Sequence, residues 1–428
     1  MKFYSTKGKN KLVPFREAVI KSLPEDNGLY FPQSIPSLDP SYFKSLKSYS
    51  LPEIGVEVMK HFCVDDVPMV KLEEIMTDVL SFDIPLKKIE DKIYSLELFH
   101  GPTYAFKDVG ARFLARCLGY FNESDKKEVT ILVATSGDTG GAVAAGFYKV
   151  PGVKVIILYP SGKVSDLQEK QLTTLGENIT ALEIDGDFDD CQTLVKTAFL
   201  DKEVNEKLAL SSANSINIAR WLPQSIYYHE ALKQLDHIEY NVFAVPSGNY
   251  GNITAGMLAK KMGLPIHRFI AASNANDIVP RYISNGVFEI KPTVATLSNA
   301  MDVSNPSNFP RMMELYDEDW QAIKKDIIGF SLDDAQTLQS MAGCQKTNDY
   351  TLDPHGAIGY EALLTNIQEG EQGIFLETAH PCKFIDTVEK ALNKTVPLPE
   401  FVSDLMTKVK VSTKLSKSYI EFKSFLIS

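Results

Sequence analysis

The chain has 428 residues, 44% hydrophobic and 23% charged, with 44 basic against 55 acidic side chains and a formal charge of −11. This is ordinary globular composition, long enough for two or three domains that each bury a core. The diffuse negative charge excludes a general nucleic-acid binder and requires any anionic substrate to be met by locally placed cations. The five cysteines are odd in number and nowhere at metal-ligand spacing, so they read as reduced thiols of a cytoplasmic protein, with neither a disulfide frame nor a metal site. The segment MKFYSTKGKNKLVPFREAV lacks the apolar stretch of a secretory signal, and the longest apolar runs, such as 155–159, are strand-sized, which excludes a membrane span.

In chain order, residues 1–90 read as a mixed helical N-terminal extension, with helical apolar spacing at 15–23 and 54–62 and proline-containing breaks at 31–40 and around Pro85. A strand at 94–99 and a Gly101-Pro102-Thr103 turn lead into a helix at 105–121. Beyond residue 128, strands are expected at the apolar β-branched run 129–134 and at 153–159, 179–184, 209–212, 242–245 and 269–272. Helical patterns lie between them: one opening at Gly140, then 164–175, 188–208, 215–235 with a break at Pro223, and 252–262. This alternation calls for an α/β fold of open, mostly parallel sheets with helices on both faces. Residues 293–311 are polar and turn-rich, helices are expected at 312–327 and 333–341, and αβ character returns at 350–364 and 373–392. Residues 396–428 form a tail of mixed polar and apolar composition.

Lys107 lies in SLELFHGPTYAFKD, where strand and turn give way to helix. An amine held there and desolvated by Phe99, Tyr104 and Phe106 loses its proton readily and can form a Schiff base with an aldehyde. An ordinary surface lysine is the bland alternative. The segment VPSGNYGNI, residues 245–253, runs from strand to helix through two glycines. Its backbone N–H groups and helix N-terminus suit a phosphate dianion, and a tight turn with glycines for sterics alone suits it equally. It is neither a nucleotide P-loop nor a dinucleotide loop.

A second small-residue loop, ATSGDTGG at 134–141, offers Ser136, Thr139 and following amides to a carboxylate or phosphate. Asp138 is unusual in such a cradle and serves either a hydrogen-bond donor or the helix as a cap. In SSANSINIAR, residues 211–220, Asn214, Asn217 and Arg220 share a helical face suited to phosphate, with a structural salt bridge as the alternative for Arg220. Lys163, in YPSGK, and Thr378, in LETAHPCK, follow other strand ends. Ligands gather at the carboxyl ends of parallel strands, a placement that all these segments share. His380 has no acid partner in sequence and is given no catalytic role.

HGPTYAFKD, TSGDTG, PSGNYGN and TAHPCKF, together with SSANSINIAR and LSNAMDVSNPSNFPR, resemble the threonine synthase family, in its longer microbial branch with an N-terminal extension. The likeness runs from the first residues to about 390 and leaves the tail unmatched. It implies the fold of the tryptophan-synthase-β group of pyridoxal-phosphate enzymes (fold type II). The implied plan is an extension domain at 1–90, a cofactor-binding catalytic region at 91–395 with a smaller mobile subdomain at roughly 108–215, and a C-terminal tail at 396–428.

The implied reaction is O-phospho-L-homoserine plus water giving L-threonine and phosphate, in a monomer or small homo-oligomer. By the same resemblance, Lys107 holds the cofactor as a Schiff base and is the catalytic proton shuttle. Gly248, Asn249, Tyr250, Gly251 and Asn252 hold the cofactor phosphate. Thr378 meets the pyridine nitrogen with a hydroxyl, which leaves the ring a weaker electron sink than an aspartate would. Thr135, Ser136, Asp138 and Thr139 take the substrate carboxylate, and Lys163, Asn217 and Arg220 the substrate phosphate. Asp138 stands where many relatives of the wider group have Asn, and Tyr250 where Phe is expected. Competing readings are a hydroxyamino-acid dehydratase of the same group and a non-catalytic phospho-ligand binding protein.

Overall fold

The computed structural model describes residues 1–125 and 128–428. The N-terminal strands β1 (Lys2–Ser5), β2 (Gly8–Pro14) and β3 (Tyr30–Pro32) form a small antiparallel sheet in the order β2-β1-β3. There follow β4 (Leu86–Glu90), β5 (Ile93–Glu97), β6 (Val129–Ala134), β7 (Val153–Pro160), β8 (Ile179–Asp185) and β9 (Ala209–Ser212). The last strands are β10 (Asn241–Pro246), β11 (Arg268–Ser273), β12 (Ile327–Ser331), β13 (Gln372–Glu377) and β14 (Thr413–Ser416). The larger sheet runs β12-β11-β10-β13-β5-β4, parallel except where β4 pairs antiparallel with β5. The smaller sheet, β14-β8-β7-β6-β9, is parallel throughout.

Every residue of β6, β10 and β11 is buried, as helices on both faces of a parallel sheet require. The expected fold class therefore holds. Two local expectations do not. The helix expected at 188–208 is two helices, Phe188–Leu200 and Lys202–Lys207. The break is at Asp201, whose carboxylate caps the second by accepting from the N–H of Glu203 and Val204. The helix expected at 312–327 is likewise two, Phe309–Leu315 and Trp320–Asp326, and the apolar run that follows them is edge strand β12. The break expected at Pro223 is present as a single 3₁₀ turn, Leu222–Ser225.

The N-terminal extension braces the catalytic region. Phe15 packs its ring 6.4 Å from both Phe113 and Phe121, on the helix Lys107–Asp125. Arg311, fully buried, donates to the Tyr30 carbonyl of β3 and to the Ser215 and Ile216 carbonyls beside the site. The extension thus fixes two segments that carry site residues.

The tail carries structure that its composition does not announce. β14 lies parallel along β8, and the helix Tyr419–Ile427 sets Phe422 and Leu426 among Leu132, Ile156 and Leu182. Lys423 closes the joint, 2.8 Å from Asp201 and 3.0 Å from Glu203. Phe422 is fully buried, so Phe422→Ala is expected to cost about 3–4 kcal/mol, read as a lowered denaturant midpoint at unchanged slope. Among the described residues, no helix is long and apolar enough to cross a membrane. All five cysteines are buried and free.

Candidate active site

A cavity of about 600 Å³ opens where β6, β7, β10 and β13 end. Lys107, Thr135, Ser136, Asp138, Thr139, Lys163, Arg220, residues 248–252 and Thr378 all line it. Asn217 does not. Its amide donates to the carbonyls of Val19 (3.0 Å) and Ser212 (3.2 Å), and its oxygen caps the short helix Ile218–Trp221. The spacing that suggested a shared phosphate-binding face is here the spacing of a helix cap, and Asn217 is corrected to a structural role.

Lys107 is the first residue of its helix and owes its position to the end of β13. The Phe106 N–H donates to Thr378 O at 2.9 Å, and the His380 N–H to Tyr104 O at 2.9 Å. Tyr104 adopts a left-handed backbone, φ 58°, which turns its ring away from the cavity and onto Phe401, 4.5 Å between centroids. Phe99 likewise packs on His380, at 5.1 Å. Of the three aromatics expected to desolvate Lys107, only Phe106 lines the cavity. The amine is nonetheless mostly withdrawn from water, its side chain 17% exposed and 3.8 Å from Asp138 Oδ2. Burial, followed by the charges of Lys383 and Arg220, pulls its pKa down to about 8, against the opposing charge of Asp138.

The loop after β10 is built as an anion cradle. A side chain at Gly248 would put its Cβ 2.8 Å from Ala300 O and Met301 Cα, so only glycine lets the chain run there. Tyr250 turns through φ 60° into the helix Gly251–Lys261, and its hydroxyl bonds Ser273 at 2.5 Å. The phenol is thus a buried strut. Asn252 donates to Pro246 O (2.8 Å) and accepts from Ser247 Oγ (2.8 Å), which locks the turn. Asn249 accepts from Ser307 Oγ at 3.0 Å. The backbone N–H groups of residues 248–252 donate to no acceptor among the described residues. They lie at a helix N-terminus, which favours an anion.

The opposite wall is the loop after β6. Thr135 Oγ1 accepts from the N–H of Gly137 and Gly140, each at 2.9 Å, so this hydroxyl serves its own loop. The Ser136 and Thr139 hydroxyls have no partner among the described residues. Gly137 has φ 137°, and a Cβ there would strike Gln168 at 2.4 Å. Asp138 makes no cap bond. Its Oδ1 meets Lys383 at 2.8 Å and Gln168 Nε2 at 3.0 Å.

Arg220 is 3% exposed, and burial pulls its pKa down to about 10. It forms no ion pair among the described residues. Its Nη1 donates to the Ala213 carbonyl, while its Nε and the Oε1 of Gln224, another residue of the wall, have no hydrogen-bond partner among the described residues. Lys163 is exposed on the rim, near Asp187.

Sequence reasoning missed Lys383, Gln224 and His355. His355 lines the cavity, with Nδ1 2.5 Å from Asp353 Oδ1 and Nε2 accepting the Ala300 N–H at 3.3 Å. It braces the loop against which Gly248 packs. A buried aspartate two residues before a histidine, in DPHG, was the available signal. His380 accepts the Cys382 N–H at 3.1 Å and lies outside the cavity.

A family profile described as "Pyridoxal-phosphate dependent enzyme" matches residues 70–376. Two others, "Threonine synthase N terminus" and "Threonine synthase, C-terminal", match 2–79 and 356–426. The chain is 47% identical to threonine synthase of Escherichia coli over 94% of each chain, and 44% identical to that of Haemophilus influenzae over 100% of each. The crystal structure of the Escherichia coli enzyme superposes with a TM-score of 0.94 at 44% identity, covering 100% of this chain and 99% of that one. A PLP-bound threonine synthase from Brucella melitensis superposes with a TM-score of 0.95 at 34% identity, with the same coverage. Serine racemase of maize, at 17% identity and a TM-score of 0.56, shares the fold. The profile matches, the full-length identities and the arrangement around Lys107 converge: the chain belongs to the threonine synthase family of pyridoxal-phosphate-dependent enzymes.

Proposed function

We propose that this chain converts O-phospho-L-homoserine and water into L-threonine and phosphate. The observation that carries this reading is a single withdrawn amine, Lys107, in a cavity whose two walls each offer separate donors to an anion. A cofactor phosphate and a substrate phosphate need two such places.

The residues present fit pyridoxal phosphate. Lys107 would hold its aldehyde carbon, the free amides of 248–252 its phosphate, and the unpartnered Thr378 hydroxyl its ring nitrogen. When bound, the group supplies a conjugated sink for negative charge at the substrate carbon beside the amino group. The chain's own residues do the rest. Ser136 and Thr139 orient the substrate carboxylate, while Arg220 and Lys163 hold the phosphate. The Lys107 amine takes a proton from Cα and one from Cβ; the Cβ–H electron pair becomes a Cβ–Cγ double bond as the Cγ–O bond breaks and phosphate leaves, and a proton then reaches Cγ, moving the double bond to Cα–Cβ. Water adds its oxygen at Cβ, and a proton returned to Cα completes L-threonine. Closure of the smaller sheet over the larger excludes bulk water during these transfers.

The test is phosphate release with matching threonine formation by cofactor-loaded protein. Ammonia and an oxo-acid from threonine, with no phosphate released from phosphohomoserine, would transfer the reading to a dehydratase. A second measurement follows from the Lys107 amine. Only its neutral form attacks an aldehyde, and its pKa is about 8. Capture of pyridoxal phosphate by the apoprotein is expected to quicken with rising pH and level off near pH 8. An unperturbed lysine would carry the rise to about pH 10.

A further inference from the structure

Asp138 sits between two lysines, and the second has no part in the chemistry above. Lys383 Nζ lies 2.8 Å from Asp138 Oδ1, 2.8 Å from Thr103 O and 3.0 Å from Gln171 Oε1. Its three N–H donors are matched by three acceptors, and its side chain is 0% exposed. Each acceptor belongs to a different segment. Thr103 is in the turn before Lys107 and is itself held by Asp108, through its N–H at 2.9 Å and its hydroxyl at 2.5 Å. Gln171 is on the helix Asp166–Thr173, and Asp138 opens the helix Asp138–Phe147. Lys383 follows β13 of the larger sheet, so its one ammonium ties that sheet to two helices of the smaller one.

We infer that Lys383 is a positioning residue: its buried ammonium occupies one oxygen of Asp138, keeps that carboxylate ionised, and leaves the other oxygen facing the nitrogen of Lys107. The geometry carries this. Oδ1 takes both Lys383 and Gln168, while Oδ2 has Lys107, at 3.8 Å, as its partner among the described residues. Burial works against ionisation of Asp138, yet Lys383 first and Lys107 second hold its carboxyl well below the usual range. Arg220 is the remaining charge acting on Lys107. A lone carboxylate beside Lys107 would pin the amine in its charged form, unfit as a base. Shared between two ammonium groups, the same carboxylate orients the amine while holding it less tightly. This resolves why an aspartate is tolerated beside an amine that must shed its proton.

The inference rests on Lys107 carrying the cofactor, and its test reads the cofactor rather than turnover. The near-visible absorbance of the bound cofactor, titrated with pH, reports the proton on the nitrogen that Lys107 contributes. Lys383→Met is expected to raise the titration midpoint by about one unit, since the whole Asp138 charge then falls on that nitrogen. Asp138→Asn is expected to lower it by about one unit. Asp138→Asn leaves Lys383 no carboxylate to act through, so the double variant should titrate like Asp138→Asn alone. An unmoved midpoint in Lys383→Met, or shifts that simply add in the double variant, would overturn the assignment. Where Lys383→Met does not fold, the near-isosteric Asp138→Asn decides the matter alone, and an unmoved midpoint there overturns it as well. A wild-type protein that shows this titration but releases no phosphate from phosphohomoserine would instead refute the proposed reaction and leave Lys383 untouched.

Discussion

Lys107→Ala is expected to lower phosphate release from phosphohomoserine by about 10⁴-fold, the upper range for loss of a positioned general base. The loss has two sources: the amine that fixes the cofactor and the base that takes protons at Cα and Cβ are the same atom. Lys163, the other lysine on the cavity wall, is exposed on the rim and cannot stand in for it. The fold should survive. Asp138 keeps Lys383 at 2.8 Å, so no buried carboxylate is left unpaired. Removing a desolvated amine also removes the cost of charging it. Steady-state phosphate assays, with the absorption spectrum and a denaturation curve on the same sample, check all three statements. Turnover above about one per cent of wild type would remove Lys107 from its role.

Arg220→Met is expected to weaken kcat/KM by about a hundredfold, the loss of one charge-assisted contact of roughly 3 kcal/mol, mostly as a raised KM. Its effect on the apoprotein should run the other way. The Arg220 guanidinium is buried, forms no ion pair among the described residues and leaves Nε without a partner. Such a charge costs free energy in the absence of its anion. A methionine of similar length removes that cost, so the unliganded variant should unfold at the same or a higher denaturant concentration. An unchanged KM together with lost stability would make Arg220 a structural residue.

The strands that were legible in the sequence are those buried on both faces. In β6 the apolar run itself marks the strand, so the expected bounds and the observed ones coincide. β14 was illegible because its sequence, TKLS, lies largely exposed on a sheet edge and carries no apolar run. β12 was not expected: the helix read at 312–327 ends on its first residue, Ile327. In the site, the glycine loops could be read because small residues between a strand and a helix let backbone N–H groups converge on one point. Lys383 could not be read, because a lysine becomes informative only when its partners are known, and Thr103, Asp138 and Gln171 come from distant segments. Asn217 was misread because a helix cap and a shared helical face begin with the same spacing.

The tail's place at the edge of the smaller sheet bears on the order in which the chain becomes an enzyme. Until β14 is synthesised, β8 offers an unpaired row of backbone N–H and C=O groups, a template for pairing with another nascent chain. The turn before Lys107 also waits, since Tyr104 receives the ring of Phe401 from the same late segment. The edge of the smaller sheet and the turn before Lys107 thus both depend on residues 401–416, which are made after every other part of the site.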